Sequence, residues 1–317
     1  MSVSFSRLTW VSACVGAALV LFPQFAGAQA KKPRVALVMK SLANEFFQTM
    51  QTGAQKYQKE HTGEFDLLSN GIKNETDVGQ QINLVEQMIA QRVDALVIAP
   101  ADSKALIPVC KKAQQGGMVV VNIDNKFDAG ALAQEKVKFP FVGPNNRTGA
   151  EKVGDYLGQH LKPGDKVAII EGIPGAFNAI QRKAGFEDAA KKSRLDVVTS
   201  QSGQWETAPA NSVASGIITQ FPDLAAFMCS NDNMALGVIA ALRAAGKEGK
   251  VQVVGFDDIS AVRTLVKEGK VLATADQHAD QLAVFGIQYA VEAVKTGKIP
   301  TEDRETPVDL ITAETLK

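Results

Sequence analysis

Polar side chains set directly behind short apolar runs carry the chemistry that this chain offers. Lys40 ends RVALVMK, Asp124 and Asn125 end MVVVNID, Asn231 and Asp232 follow AAFMCS, Asp257 and Asp258 follow VQVVGF, and Asp276 with Gln277 closes LATADQ. Ammonium and amide groups donate hydrogen bonds, and carboxylates accept them. Four residues after Lys40 stands Asn44, followed by the two flat rings of Phe46 and Phe47. Hydrogen-bonding side chains beside aromatic faces suit a sugar, whose hydroxyls point sideways while its C–H faces are apolar. Taken alone, Phe46 and Phe47 favour a simpler assignment, the first core residues of an amphipathic helix. Asp102, Asp232 and Asp258, each taken singly, read as helix N-caps. The set, repeated behind one apolar run after another, argues for a polar cleft.

Other chemistries lack their residues. There is no G-x-S-x-G elbow, no G-x-x-x-x-G-K-[ST] loop, no H-E-x-x-H and no G-x-G-x-x-G after the first apolar run. The first turn, KSLAN, has no glycine, so a dinucleotide pyrophosphate could not lie against its backbone. EGIPGAF matches no nucleotide fingerprint and reads as a tight strand-to-helix turn. His61, His160 and His278 are scattered, and no Cys or His cluster has metal-ligand spacing, so neither metal nor cofactor is expected. Asp257 and Asp258 could be nominated as the carboxylate pair of an exported sugar-processing enzyme. Adjacent residues at a strand end point in opposite directions, however, and cannot easily flank one bond. Lys plus Arg (34) equals Asp plus Glu (34), so nothing favours a polyanionic partner such as nucleic acid.

The elements that would position these side chains follow from periodicity. RVALVMK, EFDLLSN, DALVIAP, MVVVNID and FPFVGP are short, nearly continuous apolar runs, as expected of parallel strands covered on both faces. Helices are predicted to begin near Asn44, Thr76, Ser103 and Arg147. The one from Thr76 to about Gln91 carries Val78, Ile82, Val85, Met88 and Ile89 as a buried stripe, with an exposed Gln-rich face. The alternation restarts after Pro163 and Gly164: KVAIIEG, LDVVTSQSG, AAFMCSN, VQVVGFD and LATADQ are strands, with helices from about Ala176, Ala208, Asn233, Ser260 and Asp280. Strand, helix, strand implies a parallel sheet with right-handed crossovers. The 317 residues thus predict two similar doubly wound α/β lobes, with the ligand site in the cleft facing the carboxyl ends of both sheets.

Residues 1–30 are not part of that pattern. Arg7 is a positive flank, LTWVSACVGAALVLF an apolar stretch, and AGAQA supplies small residues at signal-peptidase spacing. The expectation is an exported, periplasmic protein cleaved near Ala28 or Ala30; an uncleaved anchor ranks lower because the apolar run is short. Val11 to Cys14 only loosely resembles a lipoprotein box, since most of the apolar run follows that cysteine. Of the remaining cysteines, Cys110 and Cys229, far apart and each in an apolar or helical run, are expected as buried thiols.

ALVMKSLANEFFQTMQTGAQ, NDNMALG, VVGFDD and LATADQHADQ together resemble the periplasmic sugar-binding proteins of ATP-driven importers, of the pentose and galactose type, over nearly the whole chain from Arg34 to Ile311. Repressors of the lactose type share SNDNMALG and VVGFD but carry an amino-terminal helix-turn-helix where this chain has a leader, which argues against DNA. The resemblance implies the type I periplasmic binding protein fold, with a three-segment hinge joining a first lobe (31–143 plus 278–304) to a second (144–277 plus 305–317). It implies a substrate-binding protein of an ABC importer and a membrane permease as partner. Presentation of the same ligand to a chemoreceptor, or for quorum signalling, is the alternative.

Residue by residue, the resemblance implies Asn44, Phe46 and Phe47 as first-lobe contacts and Asp124 as a hydroxyl acceptor. From the second lobe come Arg182 as a donor, Trp205 as the opposing aromatic, and Asn231, Asp257 and Gln277 as polar contacts. Three positions depart from the ribose binders of the family: Lys40 replaces a serine, Asn125 an arginine and Thr207 a second arginine. A guanidinium fork is not an ammonium, so the expected ligand widens from ribose to another pentose, a ketose or a polyol, with Lys40 and Asn125 kept as pocket positions.

Overall fold

The computed structural model describes residues 1–6 and 32–316; the leader's apolar stretch and its cleavage near Ala28 or Ala30 fall on residues outside those described. In the first half, strands and helices alternate as β1 (Arg34–Ser41), α1 (Glu45–Glu60), β2 (Asp66–Ile72), α2 (Val78–Ala90), β3 (Ala95–Ile98), α3 (Ile107–Gln115), β4 (Val119–Ile123), α4 (Ala129–Glu135) and β5 (Phe141–Pro144). The second half runs α5 (Asn146–Gly158), β6 (Lys166–Glu171), α6 (Phe177–Lys192), β7 (Asp196–Ser202), α7 (Thr207–Gln220), β8 (Ala226–Cys229), α8 (Asp232–Ala244), β9 (Gln252–Val254), α9 (Ser260–Lys267) and β10 (Ala273–Asp276). The chain ends with α10 (Ala279–Thr296), β11 (Arg304–Thr306) and β12 (Asp309–Thr312).

Two six-stranded sheets result, ordered β11-β5-β4-β3-β1-β2 and β12-β10-β9-β8-β6-β7. All pairings are parallel except β10 with β12. This is the two-lobed type I architecture. β1 shows why its sequence is continuously apolar: Val35, Leu37 and Met39 pack in one core with Phe47 and Leu282, while Ala36 and Val38 face another with Val85 and Cys110. With both faces covered, each such large side chain contributes about 1.5–3 kcal/mol of burial.

The chain passes between the sheets three times. It leaves the first after β5, since α5 packs on α6; it returns after β10, since α10 packs on β1, β3 and β4; and it passes again between β11 and β12. β11 lies beside β5, from Arg304 opposite Val142 to Thr306 opposite Pro144, so the last passage falls at Pro307 and Val308, beyond residue 304. The short α4, β11 and β12 have no counterpart in the periodicity, because elements of three to seven residues at an edge need no apolar run.

The stripe on α2 is also rotated from expectation. Gln81, Leu84, Val85 and Met88 are buried, whereas Ile82 and Ile89 are only partly so. Fully buried Gln81 donates to the carbonyls of Met39 and Ala99 and accepts from the Ala101 amide at 2.7 Å, bracketing the ends of β1 and β3. Cys110 and Cys229 are free and buried.

Candidate functional site

The carboxyl ends of β1, β4, β8, β9 and β10 meet in one buried cavity. Its lining side chains nearly fill it, leaving about 10 Å3, room for about one water. Larger clefts open nearer the surface, such as one of about 280 Å3 beside Lys126, Phe141 and Asp303, but among the described residues none of these gathers so many buried polar groups.

Backbone geometry aims the side chains. Asn44 caps α1, accepting from the Phe46 amide at 3.0 Å, which brings Phe46 and Phe47 into the first turn as an edge-to-face pair 5.0 Å apart. Asn231 likewise caps α8 through the Met234 amide at 2.9 Å and donates to the Trp205 carbonyl at 3.2 Å. Asp124 (φ 62°), Gln204 (55°), Trp205 (65°), Asp257 (121°) and Asp258 (56°) are in the left-handed region, where a side chain is disfavoured. At these positions the backbone reverses just as a strand ends or a helix begins, turning Asp124, Trp205 and Asp257 inward.

Two cations organise the interior. Lys40 Nζ forms ion pairs with Asp124 Oδ2 at 3.1 Å and Glu75 Oε2 at 3.7 Å. It also stands 5.2 Å from the Phe47 ring centroid and 5.7 Å from that of Trp205. Arg182 lies flat on Phe256, 3.8 Å away, and donates to Asn146 Oδ1 and the Ser230 carbonyl, with Asp257 at 3.5 Å. Gln277 donates to Asp257 at 2.7 Å.

Burial pulls hardest on these charges. It lowers the Arg182 pKa, although Asp257 and Asp124 oppose that shift. On Lys40 the same burial is outweighed by Asp124 and Glu75, and its pKa is raised. Burial pushes Glu75 up to about 7 despite Lys40, and Asp257 up to about 7 despite Arg182 and Gln277.

The lobes touch around this cavity. The Ser260 amide donates to Glu45, the Glu75 amide to Glu206, the Phe177 amide to Ser103 and the Asn178 amide to Asn125, at 2.9 to 3.3 Å. Inside, Glu75 Oε2, Asn178 Oδ1, Arg182 Nη2, Trp205 Nε1 and Gln277 Oε1 are buried and make no hydrogen bond within the protein. Buried polar groups are nearly always paired, so a ring of such atoms around one cavity is the arrangement that binds a ligand rich in hydroxyls.

Of the eleven positions expected at the site, ten line this cavity: Lys40, Asn44, Phe46, Phe47, Asp124, Arg182, Trp205, Asn231, Asp257 and Gln277. Asn125 does not. Its amide donates to the Pro100 carbonyl, and its carbonyl oxygen accepts from Ser103 and Asn178, making it a bridge between lobes. Two lining residues, Glu75 and Asn178, lie outside the expected set; they stand away from their strand ends, Glu75 in the loop between β2 and α2 and Asn178 in the first turn of α6.

Of the three aspartates read as helix caps, Asp102 caps the turn that leads into α3, while Asp232 and Asp258 have other partners. Asp102 accepts from Lys104 and Ala105 amides at 2.7 Å in the turn before α3. Asp232 is buried, accepts from Thr274 Oγ1 and the Ile259 amide, and its pKa is driven well up by burial. Asp258 pairs with Arg263. For Asp232 and Asp258 a buried or cationic partner offers more than a free helix end.

Residues 35–299 match the model of the periplasmic binding protein domain. A D-ribose/D-allose-binding protein of Pseudomonas aeruginosa is 56% identical over 287 residues, covering 89% of this chain and 90% of its own length. The structure of an ABC transporter solute-binding protein from Burkholderia multivorans, holding an unknown ligand represented as α-D-erythrofuranose, is 56% identical and superposes with a TM-score of 0.88 over 89% of this chain and all of its own. That of an Actinobacillus succinogenes periplasmic solute-binding protein with bound D-allose is 35% identical, with a TM-score of 0.84 over 90% of this chain and 99% of its own. Two parallel-sheet lobes closed over a polar cavity, together with a domain match across most of the chain, place this protein in the periplasmic binding protein family.

Proposed function

We propose that this protein is the solute-binding component of an ABC importer, working in the periplasm and delivering an aldose of the ribose and allose configuration to a membrane permease. The observation that carries the reading is the ring of buried, unpartnered donors and acceptors contributed by both lobes around one small cavity. Relatives whose names or ligands are D-ribose and D-allose support this sugar class. The two sugars belong together chemically, because D-ribopyranose is D-allopyranose without its hydroxymethyl group. Carboxylates accept from the hydroxyls, Arg182 and the amides donate, and Phe47 and Trp205 supply apolar faces.

Binding needs no bond making. Asp257 faces the cavity while Asp258 is turned to Arg263, so the adjacent carboxylates do not act on one bond. Closure with every polar group paired supports a micromolar dissociation constant, roughly −8 kcal/mol.

A thermal-shift series tests the reading. At a free ligand concentration ~1,000 times Kd, D-allose or D-ribose stabilises the protein by about 4 kcal/mol, a rise of roughly 5–15 °C in Tm. D-Glucose, D-fructose and myo-inositol shift it less. A rise with another class of metabolite and with none of the aldoses overturns the proposal.

A further inference from the structure

Glu75 sits in the loop between β2 and α2, behind none of the apolar runs that mark the other cavity positions, yet only 1% of its surface is exposed. Three bonds fix it. Its amide donates to Glu206 of the other lobe at 3.1 Å, its Oε1 accepts from Asn44 at 3.4 Å, and its Oε2 lies 3.7 Å from Lys40 Nζ. Oε2 itself accepts no hydrogen bond and faces the cavity that Glu75 lines. An acceptor with one oxygen held and the other free is set to receive a donor from outside the chain, and its neighbour Lys40 has only donors to offer a ligand.

Resting on the sugar-binding reading, we propose that Glu75 is a further ligand-contacting, specificity-determining residue, whose Oε2 accepts the proton of one sugar hydroxyl while Lys40 Nζ donates to an oxygen beside it. The pair reads an adjacent donor and acceptor on the sugar, which a lone serine hydroxyl at the Lys40 position could not span. A hydrogen bond to a charged group in a closed cavity also discriminates strongly, because an analogue lacking that hydroxyl leaves the carboxylate desolvated and unpaired. Burial raises the Glu75 pKa to about 7, and a sugar hydroxyl donating to Oε2 would favour the ionised form.

Calorimetry with D-allose and its monodeoxy analogues, on the parent and on Glu75→Gln and Glu75→Ala, tests this. For D-allose both variants lose affinity, about 10- to 100-fold. For one deoxy sugar, the one lacking the hydroxyl that Glu75 reads, parent and Glu75→Gln bind alike. Equal losses for every deoxy sugar would assign Glu75 to holding Lys40 and Asn44 in place and overturn the inference, as would a Glu75→Gln protein binding all sugars like the parent. A parent protein that binds no aldose would instead overturn the proposed function, and the inference with it.

Discussion

Trp205 is the residue at which backbone strain and site geometry meet. With φ at 65°, directly after Gln204 at 55°, it occupies a conformation that a bulky side chain disfavours by about 1–2 kcal/mol. That cost is borne where it turns the indole across the cavity, 97% buried and standing 5.7 Å from Lys40 Nζ and 5.5 Å from the Arg182 guanidinium carbon. Its Nε1 has no partner in the protein, so the ring offers the ligand both a face and a donor. Trp205→Ala removes both and should weaken aldose binding by about 2 kcal/mol, a ~30-fold rise in Kd by calorimetry. Trp205→Phe keeps the face and loses only the donor, so its affinity should fall between the two. Equal affinities for parent and Trp205→Ala would place the ligand elsewhere.

At the scale of elements, the indole depends on the turn after β6. A Cβ added to Gly172 would come within 2.0 to 2.3 Å of the Trp205 ring, closer than any contact can be. The Gly-rich EGIPGAF is therefore a flat seat for the aromatic as well as a tight turn. Gly172→Ala should displace Trp205 and cost as much affinity as Trp205→Ala, while far-ultraviolet circular dichroism stays at the parent level; parental affinity in Gly172→Ala would detach the turn from the site. This coupling was hidden in the sequence, because glycine announces a turn without announcing what leans on it. Strands such as β1 were legible because burial on both faces demands continuous apolar residues, and so were the polar groups immediately behind them. Asn125 was misplaced for a local reason: Asp124 takes the left-handed conformation that aims it inward, and the next side chain is carried away toward Pro100. Glu75 is not legible in the sequence because it lies inside the polar run KNETD after β2, which reads as an ordinary solvated turn.

For the whole molecule, closure and protonation are linked. Glu75 comes from the first lobe and Asp257 from the second; the Glu75 amide reaches Glu206 of the opposite lobe, Asp257 faces the cavity between the lobes, and both carboxyls are buried with pKa values of about 7. An opened cleft would return them to water and to the ordinary carboxylate range near 4. Closing the sugar-free protein therefore takes up protons between roughly pH 4 and pH 7. The sign follows: a pKa raised in the closed form favours closure fully below the open-form value, and the advantage is lost as pH rises through 7. Small-angle scattering of the sugar-free protein should give a smaller radius of gyration at pH 5 than at pH 8. Saturating aldose should remove that dependence, because ligand hydroxyls donate to the ionised carboxylates and stabilise them in place. In Glu75→Gln with Asp257→Asn, neither group titrates, and the radius should stay constant across the same range. A radius that grows as pH falls, or one equally pH-dependent in the double variant, would disconnect these two carboxyls from closure.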